Sequence, residues 1–484
     1  MPSATRRVAV IGAGISGVVT AAHLKKENLD VTVYERSNAA GGIWWVLNTP
    51  CYVGLKNNVG TRLLQTTLNE FPKGTEDFVT HDVLKDYIQH TAIRTGVHNN
   101  TNYNTEVKRV VKNASSWTIE AVTLENDKSG KTSRTSSTTV RSVNVKTVRA
   151  ITKSQEYDAV VVASGHYHAA KVPNTPGLSD WKVTWPDRVT HSKSYRKPQG
   201  YEGKNVLIIG GSVSSTDIAR DLGPIAKNIY QSQRHGTFDL PASLLPENAS
   251  RIDEVVSYNA PSSSTSPLTD PSAPIPATIT LKSGQKLCDI HHVILATGYH
   301  LTLPFLSHLH SDTTPVDAAD EHLLVTDGTQ FHNLHKDIFY IPDPTLCFVG
   351  VPFFTATFTL FEFQAMVVAK VLSGQAKLPP AKAMRTEYNE RVKEKGYGKA
   401  FHSLRDRECD YVEELLGWVN ADLAEIGGEK LKGHTDVYHV AKAEQLERLK
   451  ALFANPSEAH LKAYKHAIYF VRFVVSMFST SISL

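Results

Sequence analysis

Four apolar runs closing on small residues organise the chain: Val8 to Ile11 before Gly12, Ala159 to Val162 before Ala163-Ser164-Gly165, Val206 to Ile209 before Gly210, and Val293 to Leu295 before Ala296-Thr297-Gly298. Short unbroken runs bounded by turn residues predict strands buried on both faces. The first run continues through Gly12-Ala13-Gly14-Ile15-Ser16-Gly17 into a helical stretch, Val18 to Lys26, and then a strand, Val31 to Tyr34, that stops at Glu35. This is a βαβ unit, whose right-handed crossover predicts a parallel sheet. The third run repeats the arrangement through Gly210-Gly211-Ser212-Val213-Ser214-Ser215, a helix from Thr216 to Leu222, and a strand near Ile229 to Ser232. The other two runs flank the second unit, as strands crossing between nested domains do. The expected architecture is α/β: a first domain over 1–167 and 299–375, a second inserted at 168–298, and a mostly helical C-terminal region, 376–484. Leu446, Leu449 and Phe453 in that last region follow helical spacing.

Asp127 to Arg149 and Ala260 to Pro276 are polar and rich in Ser, Thr or Pro, and read as solvated loops or an extended hairpin. Ala467 to Phe478 is almost wholly apolar. As a helix it extends about 18 Å, against a hydrocarbon core of about 30 Å, so it does not span a bilayer by itself. Packing against the protein is favoured over a helix lying in a membrane surface, and Arg472 in its middle weakens the membrane case.

Composition narrows the classes. Hydrophobic residues at 41% and charged residues at 21% argue against a disordered chain and a multi-span membrane protein. With 52 basic and 48 acidic residues, the net charge of +4 implies no nucleic-acid partner. Cys51, Cys288, Cys347 and Cys409 form no Cys-x-x-Cys pair, so neither a disulfide framework nor a dithiol redox centre is expected. The first apolar run is too short for a secretory signal. The expected placement is cytoplasmic, with peripheral contact to an internal membrane through the C-terminal apolar run as the alternative.

The glycines carry the chemistry. In Gly12-x-Gly14-x-x-Gly17 the first permits the turn, the second lets backbone approach a pyrophosphate, and the third lets helix and strand pack closely. The amides at Ile15, Ser16 and Gly17 then open a helix whose positive end favours a phosphate, and Glu35 sits where a carboxylate accepts from ribose hydroxyls. The second turn departs from the pattern, with Ser212 and Ser215 in the later glycine positions. Ser214, Thr216 and Asp217 complete its candidate site. Its distal end, near Gln233, has no carboxylate, and Ser232 and Arg234 flank it. A guanidinium and a hydroxyl bind a 2′-phosphate that a carboxylate repels, so this unit is expected to select NADPH. A solvated surface charge is the alternative reading of Arg234. His291, His292, His308 and His310 have no spacing that promotes a metal site, and no metal is expected. The absence of a Gly-x-Ser-x-Gly elbow and of a dithiol argues against hydrolases and disulfide reductases.

The order of motifs resembles the flavin-containing monooxygenase family over about residues 5–375. Gly41-Gly42-Ile43-Trp44 resembles the second flavin-contacting glycine pair, and Tyr52-Val53-Gly54-Leu55-Lys56-Asn57-Asn58 resembles the segment ending in the active-site asparagine. Phe78 to His81, the Ala-Thr-Gly-Tyr at Ala296 to Tyr299, and Asp343 to Gly350 followed by Gln364 also match. The fingerprint reads Trp185-Pro186-Asp187-Arg188-Val189-Thr190-His191-Ser192-Lys193-Ser194-Tyr195, with Trp185 for Phe and Asp187 for Gly. Its Ser192 and Tyr195 favour the nitrogen- and sulfur-oxygenating branch, and His191 reads as a linker or positioning residue.

The resemblance implies two nested Rossmann-like domains, FAD in the first and NADPH in the second. FAD contacts are implied at Arg36, Gly42, Ile43, Trp44, Asn57, Asn58, Val59, Val107 and Gln364, and further cofactor contacts at Thr297 and Gly298. It implies that NADPH delivers hydride to FAD, and that dioxygen adds to the reduced ring as a C4a-hydroperoxyflavin that oxygenates a nucleophilic nitrogen or sulfur of a small organic substrate. Asn58 is the implied catalytic residue, an amide able to donate and accept without titrating; a buried amide satisfying backbone groups is the alternative. Baeyer-Villiger oxidation of a ketone, an NADPH oxidase or reductase without oxygen insertion, and a degenerate flavoprotein used as a binding module remain open.

Overall fold

The apolar runs become parallel strands of two separate sheets, one all parallel and the other mixed. The computed structural model describes residues 5–46, 49–126, 148–236, 238–260, 270, 272–405 and 407–454. The chain divides into two units: Met1–Thr49, Gly54–Ala169 and Tyr299–Thr435 form the first, and Pro50–Val53, Ala170–Gly298 and Asp436–Leu484 the second. Of the polar stretches, 127–147, 261–269 and 271 lie outside the described residues, as does the apolar run Ala467 to Phe478. Among the described residues no helix is long and apolar enough to cross a membrane.

The first unit opens with β1 (Arg7–Ile11), α1 (Ile15–Lys26) and β2 (Asp30–Tyr34), followed by α2 (His81–Arg94) and the short β3 (Thr101–Asn102). β4 (Thr105–Lys112), β5 (Trp117–Asn126) and β6 (Val148–Tyr157) make an antiparallel sheet, and β7 (Ala159–Val162) returns to the parallel one. The second unit holds α3 (Leu178–Thr184), β8 (Val189–His191), β9 (Asn205–Ile209), α4 (Val213–Leu222), β10 (Asn228–Ser232) and β11 (Ala249–Ile252). A small antiparallel sheet, β12 (Val255–Tyr258), β13 (Ile279–Leu281) and β14 (Lys286–Leu287), precedes β15 (His292–Leu295). The chain then completes the first unit with β16 (Leu334–His335), β17 (Phe339–Tyr340), β18 (Leu346–Phe348), α5 (Thr357–Leu372), α6 (Ala381–Lys395) and α7 (Glu408–Glu425). α8 (Asp436–Ala454) is the last described element.

The sheet of the first unit has the order β16-β17-β18-β7-β1-β2-β3, and that of the second β11-β10-β9-β15-β8. In each, the strand that runs into the glycine turn is buried on both faces because alternate side chains enter different cores. Val8 and Val10 pack with α1, α2 and α5, whereas Ala9 and Ile11 pack with Trp117 and Ile119 of the antiparallel sheet. In the second unit Val206 and Ile208 meet Ile218 and Leu222 of α4, while Leu207 faces Trp181 and Trp185.

The described part of region 376–484 holds α6, α7 and α8, but α7 does not form a layer of its own. Tyr411, Val412, Leu415, Leu416, Val419 and Leu423 of α7 belong to the same core as α1 and α5. Their recurrence along one helical stripe is what lets α7 cover α5, which is buried along most of its length.

Candidate functional site

The two glycine turns are built alike. The Gly12 amide donates to the Tyr34 carbonyl at 2.8 Å, and the Gly210 amide to the Ser232 carbonyl at 2.8 Å. Ile11 pairs with Tyr34, and Ile209 with Ser232. A Cβ on Gly12 would lie 2.5 Å from the Ala163 carbonyl oxygen, and one on Gly210 2.5 Å from that of Ala296. Each run of small residues thus lets a neighbouring strand press against the first glycine of a turn. By this equivalence the counterpart of Glu35 is Gln233.

At the first turn, Gly14 precedes α1 with no side chain capping the helix, so the opening amides remain for a ligand. The Gly41-Gly42 backbone crosses so closely that a Cβ on Gly42 would stand 2.9 Å from the Gly14 Cα. Glu35 is buried, and its carboxylate accepts from the Ala13 and Ser37 amides, each at 2.7 Å. Those bonds fix it beside the turn and leave further acceptor positions on both oxygens for ribose hydroxyls. A bare phosphate cradle with an oriented carboxylate fits FAD.

Asn57 and Asn58 have separate jobs. Asn57 is buried; its Nδ2 donates to the carbonyls of Val59 (2.6 Å) and Asp77 (2.7 Å), and its Oδ1 accepts from the Val79 amide at 2.7 Å. Its carboxamide is spent on the backbone, so a flavin contact there would fall to its main chain. Asn58 is exposed, and no hydrogen bond to the described residues holds its carboxamide. The buried-amide reading therefore belongs to Asn57, and Asn58 is free to bind a ligand.

Other expected contacts divide in the same way. Ile43 and Arg36 are exposed, the latter with its guanidinium 3.1 Å from the His168 ring. Trp44 packs edge-on to Phe358, and Ser16 donates to the Ala163 carbonyl at 3.3 Å. Val107 is buried in the core beneath the antiparallel sheet, so its side chain has no free face for a cofactor. Gln364 is committed in the same way as Asn57. It is fully buried, its Oε1 accepts from the Gly350 amide at 3.0 Å, and its Nε2 donates to Tyr411 Oη at 2.8 Å. It positions the end of β18 from behind.

A cavity at the carboxyl ends of β7 and β18 is walled by Ser164, Gly165, His166, Phe331, Gly350 and Val351. Open parallel sheets bind ligands at that edge. Burial lowers the His166 imidazole to about 4, so this wall is neutral at physiological pH. Ser164, Gly165 and Gly350 stand in motifs given no role from sequence, and His166, Phe331 and Val351 were missed; the small-residue ending of each strand was the available signal.

At the second turn Ser212 and Ser214 keep uncommitted hydroxyls, because Ser212 provides no side-chain cap and Ser214 is exposed. Ser215 and Thr216 are buried instead. Ser215 Oγ donates to the Ser212 carbonyl at 2.7 Å and accepts from Gln231 at 3.0 Å, and Thr216 also faces Gln231. Their side chains are engaged in packing the turn against β10. Burial raises the Asp217 carboxyl above the usual range. Thr297 donates to the Lys171 carbonyl, while the Gly298 carbonyl accepts from the Lys171 amide at 2.9 Å.

The distal end requires the clearest correction. Ser232 is buried, donates to the Asp253 carbonyl at 2.9 Å and accepts from the Val255 amide at 3.2 Å, so its hydroxyl is not available to a 2′-phosphate. Gln233 is also buried, and its Oε1 has no partner among the described residues. Arg234 is 77% exposed, with only a 3.9 Å approach to Glu254. The unsatisfied Gln233 Oε1 is an acceptor that fits a ribose hydroxyl, and the exposed Arg234 guanidinium beside it fits the 2′-phosphate of NADPH.

His191 is held as a neutral tautomer. Its Nδ1 accepts from the Lys193 amide at 3.0 Å, its Nε2 donates to the Gly298 carbonyl at 3.1 Å, and burial lowers it to about 4. Asp187 takes no positive φ, so aspartate in the fingerprint's glycine position carries no strain. One triad elsewhere resembles a catalytic dyad. Asp337 accepts from His402 Nδ1 at 2.7 Å and from both Arg391 Nη atoms at 2.8 Å; burial opposes its charge, but Arg391 and His402 hold the carboxyl well below the usual range. His402 Nε2 accepts from the Phe331 amide at 3.0 Å, which removes the base such a dyad would need.

Two phosphate-binding turns, one facing a carboxylate and the other a carboxamide with a guanidinium, define a flavoprotein served by a second dinucleotide. The FMO-like model, described as Flavin-binding monooxygenase-like, matches residues 5–245 and 276–426. The chain belongs to that family: it is a flavin-dependent monooxygenase that uses FAD and NADPH. It is similar to the flavin-containing monooxygenase ustF2 of Aspergillus flavus, with 42% identity over 92% of this chain and 98% of the relative. It is also similar to ustF1 of the same fungus, with 40% identity over 96% and 95%. Among solved structures, S-allyl-L-cysteine S-oxygenase from Allium sativum shares the fold, with a TM-score of 0.66 and 23% identity over 96% of this chain and 98% of that one.

Proposed function

We propose that the enzyme transfers one oxygen atom from dioxygen to a nucleophilic nitrogen or sulfur of a small organic substrate, and that Asn58 holds the reacting groups. The contrast between the committed Asn57 and the uncommitted, exposed Asn58 carries this reading. Bound FAD, reduced by NADPH, supplies the activation of dioxygen. Glu35 and the amides opening α1 orient the dinucleotide, and Gln364 fixes the Gly350 backbone at the cavity edge. Asn58 can donate from Nδ2 and accept at Oδ1 at the same time, holding two partners without exchanging a proton. The Ser192 and Tyr195 positions of the fingerprint support nitrogen or sulfur as the oxygen acceptor.

Labelled dioxygen, offered with a thioether, a tertiary amine and a ketone, tests the proposal. The label is expected in the sulfoxide or N-oxide; an ester formed from the ketone as the main product would overturn it. Asn58→Ala is expected to retain FAD and be bleached by NADPH, while most consumed NADPH ends as hydrogen peroxide. Full coupling of NADPH use to product in that variant would remove Asn58 from the mechanism.

A further inference from the structure

Phe354 adopts φ +58°, in the left-handed region, where a non-glycine side chain is strained. Its ring is nevertheless 42% exposed, so burial in the core does not account for the conformation. The backbone around it is pinned on both sides. The Gly350 amide is held by Gln364, the Phe353 amide donates to the His402 carbonyl at 3.2 Å, and the Phe353 carbonyl accepts from the Leu404 amide at 3.0 Å. The Thr355 hydroxyl and the Ala356 amide both donate to the buried Glu408 carboxylate. The Arg405 guanidinium lies 4.4 Å from the Phe354 ring centroid, and the Phe353 ring 5.1 Å from it. Strain that the surroundings hold in place marks sites where a side chain has a task. This segment leaves the carboxyl end of β18, where Gly350 and Val351 wall the cavity.

We infer that Phe354 is a specificity-determining residue, its ring providing the aromatic contact for the organic portion of the oxygenation substrate. The inference rests on the proposed oxygenation of nitrogen or sulfur. An exposed aromatic side chain three residues beyond the cavity-lining Val351 would select substrates whose nucleophilic atom bears an aryl or long alkyl group over small hydrophilic ones. Arg405 fixes the ring by cation–π contact, so less freedom is lost when a substrate stacks on it.

The FAD-loaded full chain tests this with methyl phenyl sulfide and trimethylamine as probes. Phe354→Gly removes the ring and releases the strain, so its melting temperature should not fall; Phe354→Tyr keeps the ring. In Phe354→Gly the KM for methyl phenyl sulfide is expected to rise about tenfold. The KM values for trimethylamine and NADPH should stay within about twofold. Phe354→Tyr should keep the wild-type KM for the sulfide. An unchanged sulfide KM in Phe354→Gly, or an equal rise for trimethylamine, would overturn the assignment, as would a wild type that oxygenates trimethylamine but not the sulfide. A wild type that oxygenates neither probe would overturn the proposed reaction and this inference together.

Discussion

Glu35 and Gln233 occupy one position in two copies of one turn, and on the proposed reading the difference of a carboxylate and a carboxamide sets which ribose each would accept. A carboxylate receives two hydroxyl donors but repels a phosphate, whereas a carboxamide receives a donor without adding charge. Gln233→Glu is therefore expected to raise the KM for NADPH by about tenfold or more while lowering that for NADH. Arg234→Ala is expected to raise the NADPH value with little change for NADH. Initial rates with both nucleotides check the pair, and equal changes for the two would remove these residues from 2′-phosphate recognition. The position was legible from strand length and the glycine turn. That Ser232 is excluded from the site was not, because its hydroxyl is taken by Asp253 and Val255, on a different strand connection.

The two opening helices differ where they meet their strands. A Cβ on Gly17 would stand 1.9 Å from the Gly12 carbonyl oxygen, whereas Ser215 carries a side chain at the equivalent place and is fully buried. Gly17→Ala must push α1 off β1, moving the amides that face the phosphate. The expected outcome is a folded protein with less than about a tenth of its flavin, since a misplaced cradle loses several hydrogen bonds at once. Flavin absorbance per protein measures it, and full flavin content would refute the close-packing role. The glycine pattern made the first turn readable from sequence, and the serines of the second obscured a turn of the same build. What could not be read was the fate of α7, because an apolar stripe reports that a helix is covered and not which surface covers it.

Across the molecule, buried neutral imidazoles set the response to acid. Burial draws His191, His332 and His335 down to about 4 and His292 to about 3. Each is unprotonated in the fold but takes a proton near 6.5 once unfolded. Between about 6.5 and 4 the unfolded chain thus binds more protons, and stability must fall as pH falls. Urea midpoints should be lower at pH 5.5 than at pH 7.5 by an amount equivalent to about 1 kcal/mol or more. A midpoint that rises on acidification would contradict these burials.

The chain's own order of residues determined the strands, the two turns and the helices that follow, because apolar period and glycine sterics act over a few neighbouring positions. Only the tertiary structure decided which polar side chains are left for chemistry. Asn57 is spent on Asp77 and Val79, Gln364 on Gly350 and Tyr411, and Ser232 on Asp253, all partners distant in sequence. Asn58 and Arg234 keep their exposed groups. A hydrogen bond needs two groups within about 3 Å, and no local pattern fixes that distance between residues many positions apart.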